Sequence, residues 1–157
     1  GEDLHLNLMI SPFISTILFI DVFGYYYRYG GSTATYDSRF WPDHCTLYYK
    51  RKEYFKTYDP QYIQTLKWQL TEQYVANIDL MIRFTNQNKS SIIDYIKSTF
   101  NTEIYNELLP KSHSNKRLSE AIHNKDAFLI YKTIKSQTNY LSTLKTKFAC
   151  ILSKLFI

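Results

Sequence analysis

The residue types best suited to covalent chemistry lie together at Asp43-His44-Cys45. A cysteine becomes a nucleophile when an imidazole within hydrogen-bonding distance stabilises its thiolate. Adjacent side chains diverge by about 100° in a helix and point to opposite faces in a strand, so these three residues cannot form a catalytic triad with one another. Catalysis by Cys45 would need a distant imidazole, and the candidates are His5, His113 and His123. The alternative, an ordinary half-buried thiol in a loop, is favoured.

Asp21 is a second candidate for acid–base chemistry because it interrupts the apolar run over 13–23. Burial of a carboxyl group disfavours its charged form, raises its pKa and can produce a general acid. The alternative is an aspartate at the end of a strand, hydrogen-bonded to a turn. Asp21 and Cys45 are therefore only weak catalytic candidates, and the sequence favours a protein that is not an enzyme.

The sequence predicts neither a metal site nor a cofactor site. Histidine and cysteine lie at positions 5, 44, 45, 113, 123 and 150, and none of these are spaced as ligand pairs on a helix or in a Cys-x-x-Cys loop. Gly30-Gly31 lacks the context of a phosphate-binding loop, and the Gly-x-Ser-x-Gly pattern of a nucleophilic serine is absent.

Basic and aromatic residues are interleaved at two places in the first third of the chain. Arg28 lies among four tyrosines, and Tyr48-Tyr49-Lys50-Arg51-Lys52 forms a second cluster, here called the basic aromatic segment. Proteins that bind single-stranded nucleic acid without sequence preference use aromatic rings that stack on the bases and cations that neutralise the phosphates. We therefore take as candidate ligand or partner contacts Arg28, Tyr48, Tyr49, Lys50, Arg51 and Lys52. Strand edges and AT-rich codons produce the same composition.

Cys45 and Cys150 are too few for a disulfide scaffold, but they could form one bridge. That bridge would close a loop of about 100 residues and stabilise the fold by on the order of 4–5 kcal/mol in the chain-entropy model. Two unrelated buried thiols are an equal alternative. No signal peptide is visible, although one removed before Gly1 would leave the same sequence. An extracytoplasmic or secreted location is slightly favoured.

The elements that must position these residues fall into two parts of one domain of 157 residues. In 4–10, apolar side chains recur at every second position, as in a half-buried strand. Residues 13–23 are β-branched and aromatic, which is typical of a buried strand, and 46–49 suggest another short strand. Residues 1–58 therefore predict a small antiparallel β element with loops. If 13–27 instead form a buried helix, the domain is wholly helical.

From Asp59 onward, apolar residues recur at steps of three and four, which is the period of amphipathic helices. Asp59-Pro60 is a typical start of a helix, and stripes follow over 63–82, 93–108, 118–122 and from Asp126. Four helices joined by short loops predict a bundle. The predicted fold class is therefore α+β, with the N-terminal β element packed on a C-terminal four-helix bundle, and all-α is the alternative.

The function favoured by these patterns is that of a non-catalytic interaction module with a protein partner. The helical part has clean apolar stripes, with no polar residues gathered on a buried face. Nucleic acid or another anionic surface is a further candidate partner because the net charge is +5 and no acidic residue follows Asp126. The alternative functions are single-strand binding through the basic aromatic segment and, third, a cysteine-dependent hydrolase or transferase. No transmembrane segment is predicted, since polar residues interrupt the apolar stretch over 8–23.

Overall fold

Residues 40–58, expected to form loops and a strand, form a helix. The computed structural model describes residues 36–110 and 114–138, of which 78% are helical and none lie in a strand. The expected α+β fold is therefore wrong for the described residues, and the all-α alternative fits them. The strand expected at 46–49 lies within helix α1 (Phe40–Tyr58), while those expected at 4–10 and 13–23 lie outside the described residues.

A stripe of unusual composition explains why α1 is a helix. Trp41, Cys45, Tyr48, Lys52 and Phe55 recur at steps of four and three residues, and all five are buried or half-buried. These steps follow the helical period. Because the stripe includes a phenol and an ammonium group, its hydropathy contrast is weak. The high β propensity of the aromatic residues pointed to strands, but tertiary packing overrides such a preference.

Five further helices follow within the described residues: α2 (Tyr62–Phe84), α3 (Lys89–Thr99), α4 (Glu103–Asn106), α5 (Lys116–His123) and α6 over 127–138. The stripe expected over 93–108 is thus divided between α3 and α4 by a turn at 100–102. Within the described part of the chain, no helix combines the length and apolarity needed to span a bilayer. The interpretation of 1–157 as a single domain stays a prediction.

Helices α1 and α2 form an antiparallel hairpin. The ring of Trp41, near the start of α1, meets Tyr74 in the middle of α2 at 5.3 Å between centroids. The ring of Phe55, near the end of α1, meets Tyr62 at the start of α2 at 4.4 Å. The two helices therefore run in opposite directions along their whole contact.

Helix α3 returns along α2 and is joined to it by two polar side-chain contacts, one buried and one half-buried. The hydroxyls of Tyr74 and Thr99 lie 3.0 Å apart, and Asn77 Nδ2 donates to Tyr95 Oη at 2.9 Å. The segment that follows packs back against the hairpin, where the backbone N–H of Leu109 donates to Thr71 Oγ1 at 2.8 Å. This return brings Glu107 beside α1 and α2.

Helices α5 and α6 complete the helical core. The hydroxyl of Tyr105 on α4 donates to the backbone carbonyl of Ile122 on α5 at 2.7 Å. Asp126 caps α6 by accepting from the backbone N–H of Leu129 at 2.9 Å, and this agrees with the helix start predicted from the sequence. Thr138 at the far end of α6 donates to Asp79 on α2 at 2.7 Å, so the chain closes back onto the central helix.

Candidate functional site

A groove of about 390 Å³ runs between the two helices of the hairpin, and we call it the α1–α2 groove. Its lining comes from both helices: His44, Leu47, Tyr48, Arg51, Leu66, Trp68, Gln69, Leu70, Glu72 and Gln73. Tyr48, Leu66 and Leu70 are buried members of the hydrophobic core, so the groove has an apolar floor. Its wall carries amide, imidazole, carboxylate and guanidinium groups. A largely apolar cleft with a few polar groups is the usual form of a binding site.

Two residues of the groove stand out by their environment. The side chain of Trp68 is 42% exposed, although indole is among the side chains with most to gain from burial. Arg51 is half-buried, and its Nε is enclosed with no hydrogen-bond partner. A buried donor without an acceptor costs roughly 1–3 kcal/mol. The groove thus combines an exposed aromatic surface with an unsatisfied cationic donor.

Helix α1 distributes the basic aromatic segment over different faces. Tyr48 is buried in the core, whereas Tyr49 is 40% exposed. Lys50 is exposed and does not line the groove. Of the candidate contacts, the structure brings Tyr48 and Arg51 together in the groove. Arg28 lies outside the described residues.

Lys52, the last residue of the basic aromatic segment, is held in a cluster around Glu107. Its Nζ lies 2.6 Å from Glu107 Oε1, and the hydroxyl of Tyr48 donates to Glu107 Oε2 at 2.7 Å. Lys67 Nζ on α2 lies 3.2 Å from Glu107 Oε2. Burial opposes the charge of Glu107, but the hydrogen bonds from Lys52, Tyr48 and Lys67 outweigh it and lower its pKa to about 2. Glu107 is therefore an anionic anchor for the hairpin at neutral pH.

Sequence reasoning did not single out Glu107, and no local signal could have identified it. Its two partners on α1 lie 59 and 55 residues earlier in the chain. A glutamate after a short helix has the same appearance in sequence whether it faces water or accepts three hydrogen bonds.

Asp43, His44 and Cys45 lie on the first half of α1 and form no catalytic arrangement with one another. His44 Nδ1 donates to the backbone carbonyl of Phe40 at 2.7 Å, and its ring stacks on that of Phe40 at 4.3 Å. His123 is exposed at the end of α5, while His5, His113 and Asp21 lie outside the described residues. In 36–110 and 114–138, no three histidine, cysteine or acidic side chains are grouped so that they could hold a metal ion.

Cys45 is a free, half-buried thiol packed against the core, and its burial raises its pKa to about 11. Because the thiolate is the nucleophile, this environment suppresses reactivity at neutral pH. Because Cys45 is free, the structure does not support the expected Cys45–Cys150 bridge; Cys150 itself lies outside the described residues, and the extracytoplasmic location stays a prediction.

We expect Cys45 in the Cys150→Ala variant to react slowly with iodoacetamide at pH 7. A rise in pKa from 9.0 to about 11 leaves roughly a hundredfold less thiolate than an unperturbed thiol would have. The alkylation rate, followed by mass spectrometry, should rise with pH up to about 11, and urea-unfolded protein is the control. Fast labelling at pH 6 would instead support the hypothesis that the protein is a cysteine-dependent enzyme.

Comparison of the chain with family models, with curated proteins and with solved structures gives no match. The functional inference therefore starts from the residues of the α1–α2 groove and from the chemistry that they offer.

Proposed function

We propose that the protein is a non-catalytic binding module that holds a segment of a protein partner in the α1–α2 groove. The observation that carries this proposal is the 42% exposure of Trp68 beside a groove with an apolar floor. Tryptophan and arginine are enriched among the residues that dominate the energetics of protein interfaces, and such residues cluster in well-packed pockets. The groove offers both, next to apolar surface that a partner could cover.

The state of the reactive side chains favours a module over an enzyme. A general acid or base needs a pKa near the working pH, and a nucleophilic cysteine needs a lowered pKa. Burial raises the pKa of Cys45, and ion pairs keep Glu107 charged. The hydroxyl of Tyr48 donates a hydrogen bond to the carboxylate of Glu107 at 2.7 Å. Cys45, Tyr48 and Glu107 are therefore suited to packing and to anchoring the helices, and not to proton transfer or nucleophilic attack.

The placement of charge favours a protein partner over a nucleic acid. A single strand needs several cations along one track, because each phosphate carries a charge. Lys52 is paired with Glu107, and Lys50 does not line the groove. Glu72 adds a carboxylate to the wall of the groove itself. Arg51 is therefore the single cation that the basic aromatic segment contributes to the groove lining.

The proposal is tested by selecting peptides from a displayed library of random dodecapeptides on the immobilised protein. We expect selected peptides to bind the Trp68→Ala variant at least about tenfold more weakly, because truncating a central aromatic contact removes much of the binding free energy. Dissociation constants measured by fluorescence polarisation on labelled peptides check this.

Phe128→Ala is the matched control, since Phe128 is 50% exposed and does not line the groove. It should bind the same peptides as the wild-type protein does. If no peptide is enriched, or if the two variants lose affinity equally, the α1–α2 groove is not a binding site.

A further inference from the structure

Arg51 differs from the other basic residues of the hairpin in its pairing. Lys52 and Lys67 share Glu107, Lys56 pairs with Glu53, and Arg83 pairs with Asp79. Arg51 is half-buried, and its Nε is enclosed without an acceptor. Removing a charged donor from water without giving it a partner is unfavourable. The enclosed Nε is out of reach of a bound molecule, but none of the ion pairs described for the hairpin includes Arg51, so an anion in the groove could pair with its terminal nitrogens.

We infer that the partner segment presents a side-chain carboxylate to Arg51, with an apolar residue beside it that packs on Trp68 and Leu47. This inference rests on the proposed function and specifies the chemistry of the partner. Through its two terminal nitrogens, the planar guanidinium group can pair with the two oxygens of a carboxylate. The neighbouring indole and leucine supply the apolar surface for the adjacent side chain. The occupant is thus an acidic peptide segment with an apolar neighbour.

Charge balance favours one carboxylate over a phosphate-rich ligand. Glu72 also lines the groove, and it is engaged in an interaction of its own. A polyanion would bring several charges to a lining that contains one guanidinium group and one carboxylate. A single carboxylate matches the single guanidinium, and the apolar contacts then supply the remaining binding free energy.

The experiment uses the dodecapeptides selected on the full chain, resynthesised with each Asp or Glu replaced by its amide. We expect one such replacement to weaken binding to the wild-type protein at least about tenfold, since a hydrogen-bonded ion pair is lost. The same replacement should change binding to Arg51→Gln by less than about twofold, because the partner of the carboxylate is already gone. Lys56→Gln, which removes an exposed cation of α1 outside the groove, is the matched control and should behave like the wild type.

A second variant keeps the inference testable if Arg51→Gln does not fold. Arg51→Lys retains the charge and an aliphatic stem but loses the planar fork, so most of the preference for the carboxylate peptide should disappear. Circular dichroism establishes that each variant is folded before binding is measured.

The outcomes separate the two proposals. Peptides that depend on Trp68 but bind equally well as amides would overturn the carboxylate inference and leave the binding module in place. If no peptide depends on Trp68, both fail. Oligothymidylate is the remaining probe: if it binds with a log–log salt slope steeper than about −1 and Arg51→Gln removes that binding, the ligand is a nucleic acid and the inference is wrong.

Discussion

Replacing Tyr74 by Ala is expected to lower the free energy of unfolding by about 3–5 kcal/mol. Tyr74 is fully buried at the centre of the core, where its ring meets Trp41 at 5.3 Å and Tyr105 at 5.6 Å in edge-to-face contacts. The change would leave a cavity between α1, α2 and α4. Urea denaturation monitored by circular dichroism measures the loss as a lower midpoint of unfolding.

Tyr74→Phe separates the ring from its hydroxyl. That hydroxyl lies 3.0 Å from Thr99 Oγ1, which also donates to the carbonyl of Ile96 at 2.7 Å. Because Thr99 keeps one partner, the phenylalanine variant should lose only about 1 kcal/mol. Tyr58→Ala is the surface control, since Tyr58 is 61% exposed, and it should unfold close to the wild type. A small loss for Tyr74→Ala would contradict the assignment of this residue to the core.

Replacing Glu107 by Gln is expected to lower the free energy of unfolding by about 1–3 kcal/mol at pH 7, because two ammonium groups and a phenol lose their shared anion. The side chains of Lys52, Lys67 and Tyr48 all bond this carboxylate. In the two ion pairs the lysine and glutamate side chains are only 20–27% exposed. The effect should therefore exceed that of an ordinary surface ion pair.

The contribution of Glu107 should also depend on pH in a defined window. Its pKa is lowered in the folded protein from an ordinary value of 4.5 to about 2. The unfolded chain therefore takes up the proton first, so the stabilisation is complete above about pH 4.5 and is lost as pH falls towards 2. The difference in stability between the wild type and Glu107→Gln should shrink across that window.

Glu103→Gln is the matched control for this experiment, because Glu103 is an exposed glutamate on the neighbouring helix α4. It should change stability little at any pH. A difference between the wild type and Glu107→Gln that stays constant from pH 5 to pH 2 would mean that the carboxylate does not anchor the hairpin.

The helical second part of the chain could be predicted because its information is local. In α2 the stripe predicted over 63–82 is confirmed: its central residues Leu66, Leu70, Tyr74, Ile78 and Met81 are buried, and its ends, Ile63 and Ile82, are half-buried against the core. Strongly apolar side chains at helical steps specify both the element and the face that it buries. The predicted cap at Asp126 is equally local, since its carboxylate bonds the N–H of Leu129 three residues later.

Helix α1 and the groove depended on tertiary structure. The stripe of α1 contains Tyr48 and Lys52, whose polar ends are accommodated only because Glu107 arrives from a distant part of the chain. By itself the sequence determined most of the apolar residues of α2 and α5 that face the core, and which residue types were available for chemistry. It did not predict the buried polar residues Thr71 and Asn77 of α2, contrary to the expectation that no polar residues gather on a buried face. Only the packing of α1 on α2 decided that Lys52 is neutralised and that Arg51 is enclosed without an acceptor beside Trp68, because pairing and desolvation depend on neighbours far apart in sequence.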